Sequence, residues 1–158
     1  MNNSKIPSTS NTPIVSSSTG QNMSLPVGLR NNNPLNLVVS NNNWLGKVAS
    51  NNRFEKFSSL EYGMRANVIN LRTYYNKYNL KSISQIINKW APPVENNVLN
   101  YITRVVADTG FGSGMTLPYT KDTFASLAAA MSAVELGDKY KVSKTSWLAV
   151  IEKFKLIG

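Results

Sequence analysis

The sequence predicts an α+β chain, mostly α, and three observations carry that expectation. Five stretches space their apolar residues at helical intervals, one stretch between residues 34 and 57 is β-prone and punctuated by asparagine, and residues 1–27 are polar and low in complexity. The expected organisation is therefore a flexible arm or anchor over 1–27 and a folded domain over 28–158. The arm carries a single charge, Lys5, and too little apolar surface to fold alone.

Each element follows from local residues. LNLVVS, WLGKV and RFEKF are separated by asparagine runs, which tolerate positive φ and suit turns, with Gly46 as a bulge or close approach. In FSSLEYGMRANVINLRTYYNKYNL the apolar positions Leu60, Met64, Val68, Leu71, Tyr75 and Tyr78 recur at helical spacing. Ser58 and Glu61 match a capping box, with Phe57 placed to staple against Tyr62. SISQIINKW is a shorter helix with Ser82 as its cap, stopped by Pro92–Pro93. NVLNYITRVVADTG buries Val98, Ile102 and Val105 and ends at Gly110. TKDTFASLAAAMSAVELG ends at Gly137, and SKTSWLAVIEKF closes the chain.

Composition narrows the chemistry. The 158 residues include no cysteine and no histidine. That removes disulfides, thiol nucleophiles, zinc–thiolate sites and imidazole bases, so neither a metal nor a cofactor is expected. Hydrolytic chemistry would fall to the eight carboxylates, among them Glu55, Glu61, Glu95 and Glu135. Against them stand 17 Lys and Arg, a net charge of +9, which suits an anionic partner: a bacterial cell wall, an anionic membrane or nucleic acid. No apolar run reaches the ~20 residues of a membrane span, and the N-terminus lacks a stretch of signal-peptide length.

The segments RNNNPLNL, W-L-G, FEKFSSLEYGMRA and INKWAPPVENNVLNYITRVV, in that order, resemble a family of bacteriophage and prophage proteins. These are virion-associated or structural proteins with a lysozyme-like, murein-degrading domain. The resemblance covers residues 28 to roughly 137. It departs from the family at Asn33-Pro34-Leu35-Asn36, where NPGN is usual, and at Glu135-Leu136-Gly137, where ENG is usual. It implies a lysozyme-like helical domain with a small β-hairpin. It also implies a peptidoglycan-cleaving protein, of lytic transglycosylase or muramidase type, carried in the virion and made in the host cytoplasm without a signal peptide. Bacterial peptidoglycan would be its substrate, and other virion proteins would hold the arm. In lysozyme relatives a Glu-x-Gly helix end precedes a segment like NPLN and its hairpin; the reverse order here suggests a circular permutant.

On this resemblance Glu135 is the candidate proton donor, at the foot of the Ala-rich helix LAAAMSAVELG. The plainer account is a solvated Glu at a helix C-terminus. Glu61 is the second catalytic candidate, against a purely capping role. Arg30, Asn31, Asn33 and Asn36 are candidate sugar contacts, since amides pair with acetamido and hydroxyl groups. They serve equally to satisfy backbone groups in a tight turn, where Arg30 could pair with Glu61 or Glu135. Trp44 and Tyr62 are candidate stacking surfaces, whereas Trp90 is expected in the core.

Two other functions stay open. One is a non-catalytic structural or adaptor component of the virion. The other is a basic nucleic-acid-binding protein. For the latter, residues 116–158 hold six Lys and no Arg against four acids, while residues 28–115 hold ten Lys and Arg against four acids, a diffuse field and not a stripe.

Overall fold

The polar knot at residues 31–36 is where the chain is tied together. Asn33 is fully buried and uses its whole amide: Nδ2 donates to Leu37 O (3.0 Å) and Glu55 O (2.9 Å), while Oδ1 accepts from Leu37 N (2.9 Å) and Asn67 Nδ2 (3.0 Å). Asn67 returns the link, its Oδ1 accepting from Leu35 N at 3.2 Å. Asn32 and Asn36 hold positive φ, 52° and 55°, which asparagine accepts more readily than most residues. The knot presses so closely on the next helix that a Cβ on Gly63 would lie 1.6 Å from Asn32 O.

The computed structural model describes residues 24–91 and 95–158, with side chains from residue 97 in the second span. Most of the expected 1–27 arm, the Pro92–Pro93 helix stop and the Glu95 side chain lie outside the described residues. One helical turn, α1 (Val27–Arg30), opens the described chain. Two short antiparallel strands, β1 (Lys47–Val48) and β2 (Lys56–Phe57), pair Lys47 with Phe57 and Val48 with Lys56. Then come α2 (Leu60–Asn76), α3 (Ile83–Trp90), α4 (Glu95–Thr109), α5 (Lys121–Leu136) and α6 (Lys144–Lys153). The class is α+β and mostly α, as expected.

The β region is smaller than the sequence suggests. LNLVVS contributes one isolated bridge, Val38 to Phe54, and backbone bonds from Val39 N to Arg53 O and from Glu55 N to Leu37 O. Gly46 takes φ +80°, with the Tyr62 ring lying against its Cα.

Helix starts follow local side chains. Ser82, Thr120 and Ser143 cap α3, α5 and α6, each accepting from the backbone N–H three residues on. For α2 the expected Ser58–Glu61 capping box is replaced by Ser59, whose Oγ accepts from Tyr62 N at 3.3 Å. The one-residue slip places Glu61 second in the helix, where its charge still favours the N-terminal dipole. Phe57 and Tyr62 nevertheless meet, in a small cluster with Leu37, Ala66 and Trp44.

The main core lies between α2, α3, α4, α5 and α6, with Leu71, Ile87, Val105, Met131, Trp147 and Ile151 among its buried residues. The α5 helix is its centre, because alanines at 125, 128, 130 and 133 let neighbouring helices approach closely. Among the described residues no helix is long and apolar enough to cross a membrane.

Candidate functional site

Three elements converge on the C-terminal end of α5. Gly137 ends that helix in a positive-φ cap, its N–H bonded to Ala133 O at 2.9 Å, so the carboxylate of Glu135 sits in the last turn. From the N-terminal knot, Asn36 Nδ2 donates to Glu135 Oε1 at 2.7 Å. From α4, the hydroxyl of buried Tyr101 donates to Glu135 Oε2 at 2.9 Å. The knot reaches this point because α1 lies against the helix end: a Cβ on Gly28 would stand 2.7 Å from Leu136 Cδ2 and 3.2 Å from Asn36 Oδ1.

Burial dominates the electrostatics. It pushes the Glu135 pKa above the ordinary carboxylate value, and the hydrogen bonds from Asn36 and Tyr101 pull it partly back. The phenol of Tyr101 is raised well above its ordinary value, first by burial and then by the neighbouring carboxylate, so it remains a hydrogen-bond donor at neutral pH. No cation pairs with Glu135 among the described residues. Such surroundings favour the protonated carboxyl, whose proton can pass to a bound group.

One turn along α4 from Tyr101, Arg104 binds Asp108 (2.8 Å) and Asp138 (2.5 Å). Its guanidinium is raised by those two carboxylates, and Asp138 is lowered in turn by Arg104. This exposed network ties α4 to the segment just beyond Glu135.

The other sequence candidates are distributed around this point. Asn36 is the one that touches Glu135. Asn31 and Asn33 are buried in the knot; Asn31 O accepts from Phe57 N at 2.9 Å, and its Nδ2 is buried with no partner. Arg30 is exposed and forms no ion pair with Glu61 or Glu135. Glu61, 52% exposed, pairs with Lys153 of α6 at 2.8 Å, and no bond or shared partner joins it to Glu135. That carboxylate raises the Lys153 ammonium pKa. Tyr62 packs on Gly46 and lies 6.3 Å from the Phe154 ring. Trp44 is half-buried against the small cluster and lines a separate groove with Tyr74, Tyr78 and Lys89. Trp90 is half-buried between the two apolar clusters, its Nε1 donating to Leu35 O at 2.8 Å.

Tyr101 escaped the sequence reading. It falls between Val98 and Val105 on the apolar stripe of α4, where a tyrosine passes for ordinary core. A hydroxyl on a buried stripe must find a partner, and that requirement was the available signal. Among the described residues no cluster of three or more acidic side chains could hold a metal ion.

No family model matches the chain. Protein P5 of Pseudoalteromonas phage PM2 is 39% identical over 115 residues, an alignment spanning 70% of this chain and 71% of that protein. Identity at that level over that share of both chains exceeds what a common fold alone produces, and this chain belongs to the family of that bacteriophage protein.

Proposed function

We propose that this phage protein is carried in the virion and cleaves the glycan strands of bacterial peptidoglycan, with Glu135 as the proton donor. The observation that carries the reading is the half-buried Glu135 at the foot of α5, its carboxyl desolvated and aimed by Asn36 and Tyr101. Such a group protonates the leaving glycosidic oxygen as the C1–O bond breaks. Glu61 is exposed and engaged by Lys153, and among the described residues no second carboxylate is joined to the first. That favours a lytic transglycosylase: the sugar's own C6 hydroxyl attacks C1, its proton returns to Glu135, and an anhydro-sugar end forms without water. The motifs of residues 28–137 and their order support a lysozyme-like, circularly permuted layout. Wall glycan is the substrate, and residues 1–27 would attach the protein to other virion components.

The test is a zymogram on purified cell walls with mass analysis of the products. Clearing by the native chain, loss of clearing in Glu135→Gln with an unchanged circular dichroism spectrum, and anhydro ends in the products are the expected results. Full clearing by Glu135→Gln would remove the acid from this role.

A second reading has its own observation. Both Glu135 oxygens are satisfied inside the fold, by Asn36 and Tyr101, as in a purely structural polar link. A well-folded native chain that clears no wall would favour a non-catalytic virion component.

A further inference from the structure

A groove of about 510 Å³ lies away from Glu135, between the loop that precedes β1, the C-terminal half of α2 and the end of α3. Asn42, Asn43 and Trp44 form one wall, and Asn70, Tyr74 and Lys89 lie opposite. Lys77 and Tyr78 complete its rim.

Three features mark it as built for a ligand. First, the two lysines are exposed, and neither has a carboxylate partner among the described residues, unlike Lys47, Lys144 and Lys153. Both ammonium groups stand over the same Tyr78 ring, Lys77 at 5.6 Å and Lys89 at 5.5 Å from its centroid. Two like charges around one ring repel, and an anion seated beside them relieves that repulsion. Second, Trp44 lines the groove while its Nε1 is buried without an acceptor, so a turn of the indole toward the groove would let a ligand supply the missing one. Third, the loop wall is fixed in advance. Lys47 Nζ donates to Ser40 O (2.8 Å) and Asn42 O (3.0 Å) and is itself held by buried Glu55 (3.2 Å).

The lining selects a ligand class. The amides of Asn42, Asn43 and Asn70 both donate and accept, as acetamido and hydroxyl groups require. The ammonium groups call for carboxylates. A nucleic-acid strand would need open aromatic faces for its bases, yet Lys89 already stands over Tyr74 and Tyr78, at 5.7 and 5.5 Å. A chain of packed residues links the wall of the groove to the Glu135 cluster. Tyr74 meets the edge of Trp90 at 5.7 Å, Trp90 Nε1 donates to Leu35 O, and the next residue is Asn36.

We propose that this groove is a second binding site, for acetamido sugars bearing carboxylates on a wall glycan strand, and that it holds the strand while Glu135 acts. It rests on the wall as the partner proposed above and not on the role of the acid.

The full chain carrying Glu135→Gln, which would leave the strand intact, is titrated with glycan strands whose peptide stems have been removed. Tryptophan fluorescence and co-sedimentation report binding. Adding Lys77→Gln and Lys89→Gln together is expected to weaken binding tenfold or more and to flatten its salt dependence. Trp44→Phe is expected to remove the fluorescence change, and neutral chitotetraose to bind at least tenfold more weakly than the stem-free strand. Unchanged affinity in the double lysine variant overturns the proposal, as does tighter binding of an oligothymidylate or of the free stem peptide. Binding without any wall clearing by the native chain would sink the acid and leave the groove. Clearing with lysine-indifferent binding would sink the groove alone.

Discussion

Asn36 Nδ2 reaches Glu135 Oε1 at 2.7 Å across 99 positions of sequence. The bond favours the ionised carboxylate, whereas burial favours the protonated acid, and burial is the larger effect. Removing the donor must therefore push the carboxyl further up. Asn36→Gly is the suitable change, because φ at this position is +55° and a Cβ-bearing substitute would be strained. Tyr101→Phe removes the second donor. Carbon-13 NMR titration of the Glu135 carboxyl should show an upward shift in each variant and a larger one in the pair. If the protein cleaves glycans, the alkaline limb of its rate profile moves the same way. A downward shift would show that burial does not govern this group.

Stability carries the same sign. A carboxyl whose folded pKa is raised binds its proton more tightly folded than unfolded. The stability this adds is complete below the ordinary carboxylate pKa and is lost as pH rises through the raised value. Glutamine cannot ionise; its Oε1 can still accept from Asn36 Nδ2, and its Nε2 can donate to the Tyr101 oxygen once that hydroxyl turns. Thermal melts of Glu135→Gln and the native chain should therefore diverge in favour of the variant as pH rises from 4 to 7. Parallel melting curves across that range would contradict the burial argument.

The helices were legible because their apolar residues repeat at fixed intervals: Met64, Val68, Leu71 and Tyr75 are all buried on α2. Stops at Gly110 and Gly137 were legible because both take positive φ. Pairings between distant residues were not. A one-residue error at Ser58 made Glu61 a capping residue, when its partner is Lys153, 92 positions away. Tyr101 was hidden by its place on an apolar stripe. The candidate acid came from the family resemblance, since no local pattern distinguishes a desolvated, half-buried Glu135 from a fully solvated one. Glu55 precedes β2 and stands two residues before buried Phe57 in the extended run RFEKF, and that alternation was the unused sign that it is buried.

The knot of residues 31–36 is expected to matter more for folding than its polarity suggests. Asn33→Ala leaves the buried Leu37 N–H, the carbonyls of Leu37 and Glu55, and the amide of Asn67 short of partners. At about 1–3 kcal/mol for a buried group left unsatisfied, urea melts should show a loss of about 3 kcal/mol or more. Gly63→Ala should cost at least as much, since its Cβ would meet Asn32 O at 1.6 Å. Arg30→Ala, at an exposed position, should stay within about 0.5 kcal/mol. Equal losses at Arg30 and Asn33 would refute the knot as the tie point.

Glu55 is fully buried, with Oε2 bound to Lys47 Nζ and Ser40 N and with Oε1 unpartnered. Lys47→Met leaves that carboxylate without its counter-charge. Loss of one partner from a buried pair costs about 3–5 kcal/mol. Lys47 is 25% exposed, so water softens the effect and the lower end of that range is expected. Glu55→Gln in the same chain removes the stranded charge and should restore much of the loss, a coupling that a double-mutant cycle in urea isolates. Lys47 also holds Ser40 O and Asn42 O, so hydrogen exchange at the amide of Asn42 should quicken in Lys47→Met. A single-variant cost below about 1 kcal/mol would place the pair among ordinary surface bridges and leave the wall of the Trp44 groove without its anchor.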